Sequence, residues 1–215
     1  MYKLIKAKSV HAKQILPYLT TTCYWKEFAY GNNLNQSYEE FMLQWIITPR
    51  LPITTVLVKE GDEDTVCGCI ITATTEQFGT MPDYTPHLDP KVMETFANWF
   101  SFAVSDSVVV ELFYVIEELR GQGYGTQLYN VAEELAKTTG KNCISGFIWS
   151  FFPNSLINAI RKGRMVKDCI HFPGLIDLPL LYVEKKPAYA KLKDYFHTKE
   201  YLTVPSMLEM QAQAA

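Results

Sequence analysis

The spacing of apolar residues along the chain switches repeatedly between a period of about two and one of about 3.6, the mark of strands alternating with helices. Residues 2–8 (YKLIKAK) alternate, which predicts a short strand. Residues 10–19 place Val10, Ala12, Ile15 and Leu19 at helical spacing, with Pro17 kinking or restarting that helix. Ser37 and Glu40 carry the spacing of a capping box before FMLQWII, so a second helix is expected there. The runs 53–59 (ITTVLVK) and 65–74 (TVCGCIITAT) predict two strands joined as a hairpin across EGDED. Residues 76–106 are less patterned, with Pro82, Pro86 and Pro90 ahead of a helix-like stretch over 91–104. The clearest strand is 107–116 (SVVVELFYVI), rich in β-branched and aromatic residues.

That strand leads into EELR and then LRGQGYGTQL, where Gly121, Gly123 and Gly125 take every second position. A helical stripe of Leu128, Val131, Ala132 and Leu135 follows and ends at Gly140, before another strand, NCISGFIW. Strand, glycine turn, helix and strand make a βαβ unit. Its turn lies at the amino end of the helix, where unpaired N–H groups and the helix dipole attract an anion and missing Cβ atoms let a phosphate reach the backbone. Thr126 stands where a dinucleotide-binding G-x-G-x-x-G would need its third glycine. A Walker loop would need Gly-Lys-Ser/Thr, which is absent.

Composition removes other classes. With 48% hydrophobic and 20% charged residues in 215, a folded globular chain is expected, α/β in class. A net charge of −3 gives no basic field for nucleic acid or an anionic membrane. No stretch resembles a signal sequence or a membrane span, so a cytoplasmic protein is expected. Five cysteines without a paired framework suggest reduced thiols, and no metal site is expected.

Arg120, Gly123 and Gly125 satisfy Arg/Gln-x-x-Gly-x-Gly/Ala, and FYVIEELRGQGYGTQLYN resembles the strand, loop and helix of motif A in the GCN5-related N-acetyltransferases, the GNAT superfamily. The order of predicted elements over residues 2–186 is similar to that family's, with LPLLYVEKKP (178–187) as a late strand. The resemblance implies a GNAT-like α/β (α+β) fold. Its central sheet would be mixed and mostly antiparallel, with helices on both faces and strands splayed at an acyl-CoA groove. It also implies an acetyl-CoA-dependent N-acetyltransferase that produces CoA and acts on a small-molecule or peptide amine. Pantetheine would lie against the backbone of Phe113, Tyr114 and Val115, with the Val115 N–H polarising the thioester. The pyrophosphate would meet the loop formed by Arg120, Gly121, Gln122, Gly123, Tyr124, Gly125 and Thr126. Asn154 would contact the cofactor. Residues 1–186 would form the GNAT-like domain and 187–215 a C-terminal extension, whose helical spacing of Tyr189, Leu192, Tyr195 and Phe196 suits either a cover for the sheet or a homodimer contact.

Two departures bear on chemistry. In PNSLINAIRKGRM, Arg161 stands near the position where relatives carry a tyrosine acid, and KGRM replaces the usual ending. The general acid is thus unassigned, with Tyr182 as either that acid or an aromatic packed on the sheet. The basic run Arg161, Lys162 and Arg164 meets the CoA 3′-phosphate or simply ends a solvated helix.

An alkylammonium is neutral in only about one molecule in two thousand at pH 7, so attack on a thioester needs a proton acceptor nearby. Glu111 interrupts an apolar strand nine residues before Arg120, one of the two spacings at which relatives place a catalytic His or Glu. Strict alternation puts it on the face of Phe113 and Val115. It is either a general base, acting directly or through water, or a carboxylate paired with a cross-strand cation. Glu117 and Glu118 fit the exposed turn. A covalent route through Cys143 finds no histidine nearby in sequence. Phe78, Tyr84, His87, Trp99 and Phe100, with Phe41 and Trp45, are either acceptor walls or core.

Overall fold

The computed structural model describes residues 1–22, 37–81, 107–150, 153–172 and 176–190. Seven strands form one sheet in the order β1-β2-β3-β4-β5-β7-β6, and every neighbouring pair is antiparallel except β4 with β5. The strands are β1 (Tyr2–Lys6), β2 (Thr54–Lys59), β3 (Asp62–Thr74), β4 (Ser107–Val115), β5 (Cys143–Trp149), β6 (Met165–Phe172) and β7 (Ile176–Lys185). This is the mixed, mostly antiparallel sheet that the resemblance implies.

Helices cover both faces. On one face lie α1 (Ala12–Thr22) and a second helical run, α2 (38–50), which is α-helical over Tyr38–Phe41, π-helical over Met42–Ile47 and α-helical again over Thr48–Arg50. The expected capping box opens α2, with Ser37 accepting from the Glu40 N–H and Glu40 accepting from the Ser37 N–H. Phe41, Met42, Ile46 and Ile47 pack with Ile15 against Val56, Cys69, Ile71 and Leu112 of the sheet. On the other face, α4 (Tyr124–Thr139) lays Leu128, Ala132 and Ala136 on Leu57, Ile70, Val108, Val110 and Ile144. Short α3 (Thr75–Gly79) and α5 (Pro153–Arg161) complete the set. Burying each large aliphatic side chain contributes about 1.5–3 kcal/mol, so these two layers hold the sheet from both sides.

Three features differ from the sequence reading. β3 begins at Asp62 rather than 65, because Lys59 pairs with Asp62 across a tighter turn at Glu60 and Gly61. β1 stops at Lys6, and a 3-10 turn over Ser9–His11 starts the first helix. β6 was not expected at all: it is an edge strand with Met165 and Val166 exposed, so it lacks the apolar alternation of a covered strand.

The helix-like stretch 91–104 lies outside the described residues, as do Tyr84, His87, Trp99 and Phe100 and all of the extension beyond residue 190. Where described, the extension turns back on α4: the Ala188 N–H donates to Glu133 Oε2 at 2.9 Å, and the Tyr189 hydroxyl donates to the Lys141 carbonyl. Among the described residues, no helix is long and apolar enough to cross a membrane.

Candidate active site

β4 and β5 pair only from Ser107↔Cys143 to Val110↔Gly146, yet β4 runs on to Val115 and β5 to Trp149. Beyond Val110 and Gly146 the two strands part, and a cleft opens in the middle of the sheet. Gly146 sits at its apex, where a Cβ would stand 2.8 Å from the Val110 carbonyl oxygen, so only glycine lets the strands close there.

Along the β4 edge of the cleft the backbone is exposed to whatever enters. The Ile116 N–H bonds Cys67 O on the β3 side at 3.0 Å, so by alternation the N–H and C=O of Val115 point the other way, into the cleft. Arg120 Nε donates to that Val115 carbonyl at 3.1 Å, tying the motif arginine back onto the strand, and its guanidinium lies 5.8 Å from the Tyr114 ring centroid. Tyr114 itself faces the α1 side, stacked on Tyr18 with ring centroids 3.7 Å apart. Phe113, 36% exposed, faces α4 and stands edge-on to Tyr129.

The glycine loop closes the mouth of the cleft. Gly121 and Gly123 hold left-handed φ values of 79° and 87°, and a Cβ on either would meet nothing within 4 Å, so the loop is open on its outer side. Gly123 is the N-cap of α4 and offers no side chain to its first turn; the Thr126 N–H donates to the Gly123 carbonyl at 3.0 Å, and the Tyr124 and Gly125 amides are left for an outside acceptor. Gln122 Nε2 donates to the Glu118 carbonyl at 2.7 Å, Tyr124 packs on Tyr2, and Thr126 Oγ1 accepts from Lys162 Nζ at 3.3 Å. The donor set fits a diphosphate at the loop and an amide-bearing arm along β4. Asn154 is exposed in the first turn of α5, and among the described contacts none joins it to the loop.

Glu111 is not where strict alternation puts it. Ile71 pairs with Leu112 but Thr72 pairs with Val110, so Glu111 is the extra residue of a β-bulge. The bulge reverses the parity of β4: Val108 and Val110 pack on α4, whereas Leu112 packs on α1 and α2. Glu111 therefore turns to the α2 side, away from the face of Phe113 and Val115. There Arg50 Nε donates to its Oε2 at 2.6 Å, with the arginine side chain 3% exposed and the glutamate 20%. Arg50 also donates from Nη1 to the Ile46 carbonyl at 2.9 Å, and its guanidinium lies 6.0 Å from the Phe78 ring centroid. Arg50 escaped the sequence reading. Its one signal was a charge closing the apolar run of α2, and nothing local tied it to a strand 61 residues away.

Tyr182 packs as an aromatic on the sheet, and Cys143 is a poor nucleophile. The Tyr182 hydroxyl donates to Glu184 Oε2 at 3.2 Å, its ring packs on Phe147, and burial pushes it up, making its proton harder to give. Burial, reinforced by Glu184, pushes the Cys143 thiol up to about 12, so it supplies almost no thiolate.

Of the basic run 161–164, Arg164 is buried rather than part of a solvated helix end, and with Lys162 and Lys185 it gathers around Tyr129, a grouping the sequence did not show. Arg164 Nε donates to the Tyr129 hydroxyl at 3.2 Å, and Arg164, Lys162 and Lys185 lie 4.9, 5.5 and 4.7 Å from its ring centroid. Burial, and then the neighbouring cations Lys185 and Arg164, lower Lys162 from its ordinary value. Lys185 is paired with Glu133. Arg161, by contrast, is exposed at the end of α5.

Comparison with known proteins agrees with this geometry. A family model described as Acetyltransferase (GNAT) family matches residues 19–154. No curated protein matches the chain. Among solved structures, a GNAT-family acetyltransferase from Staphylococcus aureus is similar at 9% identity and a TM-score of 0.54, over 86% of this chain and 99% of that one. YncA from Salmonella typhimurium, solved with its cofactor acetyl-CoA, is similar at 14% identity and a TM-score of 0.53, over 86% and 94%. Ard1 from Thermoplasma volcanium gives 10% identity and 0.53, over 86% and 97%. At such identities the likeness is one of fold. The family match spans more than half of the chain, which thus belongs to the GNAT family of acetyltransferases, whose cofactor is acetyl-CoA.

Proposed function

We propose that this chain is an N-acyltransferase that moves the acetyl group of acetyl-CoA to a primary amine by direct attack in a ternary complex. The observation that carries this reading is the cleft itself: an open glycine loop at its mouth, the β4 backbone along its edge and a carboxylate on the opposite side of the strand bulge. Acetyl-CoA, when bound, supplies an acetyl group already activated as a thioester. In the loop from Arg120 to Thr126, the amides of Gly121 to Gly125 hold its diphosphate, those of Arg120 and Thr126 being bonded to the Glu117 and Gly123 carbonyls. Phe113, Tyr114 and Val115 hold its arm, with the Val115 N–H facing the cleft near the diphosphate end of that arm. Asn154 reaches the cofactor from α5.

Glu111 acts on the acceptor. Arg50 engages Oε2 and fixes the carboxylate, so Oε1 is the oxygen that attracts the ammonium and takes its proton, directly or through water. The acceptor, a small molecule or a peptide amine, approaches from the α2 side. A cavity of about 480 Å³ at the end of α2, lined by Thr48, Pro49, Pro52, Ile53, Gln77, Thr80 and Met81, has Arg50 and Phe78 as chain neighbours of its lining and is proposed as part of that approach. Its mostly apolar walls suit an amine carried on an apolar or aromatic body.

A second reading rests on Arg161, which stands exposed near the position where relatives carry an acid: the fold would then hold acyl-CoA without turning it over. Incubating the protein with acetyl-CoA and a panel of primary amines, with released thiol as the readout, separates the two. Amine-dependent thiol release is expected. Cofactor binding without release for any amine would favour the binding module.

A further inference from the structure

Arg164 stands between α5 and β6, 9% exposed, and among the described residues no carboxylate pairs with it. Its hydrogen bond is to a neutral hydroxyl, that of Tyr129. A cation so deeply buried without an anion is unfavourable, and the arrangement is completed when an anion arrives. Glu133, the nearby acid on α4, is engaged by Lys185 from β7.

The position says which anion. A Cβ at Gly146 would be 3.3 Å from Arg164 Nη1, so the guanidinium lies under the apex of the cleft. From Val115, beside the glycine loop, to Val110 at the apex is five residues, or about 17 Å at ~3.3 Å per residue. The arm of CoA between diphosphate and sulfur has about thirteen bonds, roughly 15 Å when extended at ~3.6 Å per three bonds. A diphosphate on the loop therefore delivers its sulfur close to the apex, whereas Lys162, on Thr126 Oγ1, is the cation at the diphosphate end.

Resting on the acyl-CoA reading above, we propose that Arg164 holds the departing CoA sulfur as a thiolate, in a chain whose α5 lacks an acid at the expected place. Attack by the amine nitrogen breaks the bond between carbonyl carbon and sulfur, and the electron pair of that bond leaves on sulfur. Arg164 keeps its own proton, since a guanidinium does not surrender it in proteins, and balances the charge instead. The amine proton leaves through Glu111 or water, so the products are the amide, the thiolate and one proton. Among the described residues, Tyr129, Lys162, Lys185, Glu133 and Cys143 are the other ionisable groups around Arg164 and Tyr129 and set the background field.

The test is an ultraviolet titration of the thiolate of CoA bound to the wild-type protein, to Arg164→Lys and to Arg164→Gln. Calorimetry with desulfo-CoA runs beside it, so that turnover is never the readout. Bound to the wild type, CoA is expected to ionise at least tenfold more readily than free CoA. Arg164→Lys should retain much of this and Arg164→Gln none, with desulfo-CoA binding all three alike. If bound CoA ionises like free CoA in the wild type, a measurement that needs no variant, Arg164 does not hold the sulfur. Equal weakening of CoA and desulfo-CoA by Arg164→Gln would also overturn the proposal, by moving Arg164 to the arm or phosphates. Failure of the wild type to bind either compound would overturn this proposal and the acyl-CoA reading together.

Discussion

The two sides of β4 solve the same problem in different ways. On the α4 side, the proposed cofactor end is built from one contiguous run, 113–126, and presents mostly backbone: the edge of Phe113 and Val115, then the amides behind Gly121 and Gly123. On the α2 side, the proposed acceptor end is built from side chains far apart in sequence, with Arg50 reaching Glu111 across 61 residues. Backbone recognition tolerates change around it provided the glycines stay. A buried ion pair does not, because each partner is costly without the other.

The largest test of this contrast is Arg50→Met. It strands Glu111, and with the carboxylate partly exposed the loss of stability should be near the lower bound for a broken buried pair, about 3 kcal/mol. For a chain of this size that is a fall of roughly 10 °C in melting temperature by calorimetry. Adding Glu111→Gln should return at least about 1 kcal/mol by removing the stranded charge, and a strictly additive double variant would mean the pair does not couple. Glu111→Gln alone, assayed where it is fully folded, should lower kcat about 100-fold while leaving CoA affinity unchanged. A fall in affinity instead would place Glu111 at the cofactor end and erase the distinction between the two sides.

A smaller effect concerns the cysteines. Burial holds the Cys69 and Cys143 thiols at about 12, so native-state alkylation near pH 8 should label exposed Cys169 and spare both, as read by peptide mass mapping. Rapid labelling of Cys143 would reopen a covalent route. The sign for stability follows from the same burial. Both thiols ionise more readily in the unfolded chain, from an ordinary value of 9.0, so their contribution is full below that pH and is lost as pH rises toward about 12.

What was legible in the sequence divides along the same line. The βαβ unit, the capping box at Ser37 and the glycine loop each depend on residues within a few positions of one another, and periodicity or spacing exposes them. Glu111 was visible as a charge in an apolar strand, but the bulge that turns it was not. A bulge is set by the register against β3, where Ile71 and Thr72 take partners two residues apart, and no pattern within β4 records that. Arg50 was hidden for the same reason, and Arg164, visible only as part of the basic run 161–164, acquires its place beside Tyr129 from elements that the fold brings to it. Strand β6 escaped because an exposed edge needs no apolar alternation.

Whether the cleft behind the glycine loop takes acetyl-CoA is decided by calorimetric titration with acetyl-CoA, CoA and ATP, on the wild type and on Gly125→Trp. A Cβ at Gly125 already touches Phe113 at 3.4 Å, so an indole there fills the cleft mouth. Both CoA compounds should bind in preference to ATP, and the variant should lose at least about 100-fold in affinity, some 2.7 kcal/mol, with its fold intact by circular dichroism. Binding of CoA that survives the tryptophan, or equal binding of ATP, would contradict it.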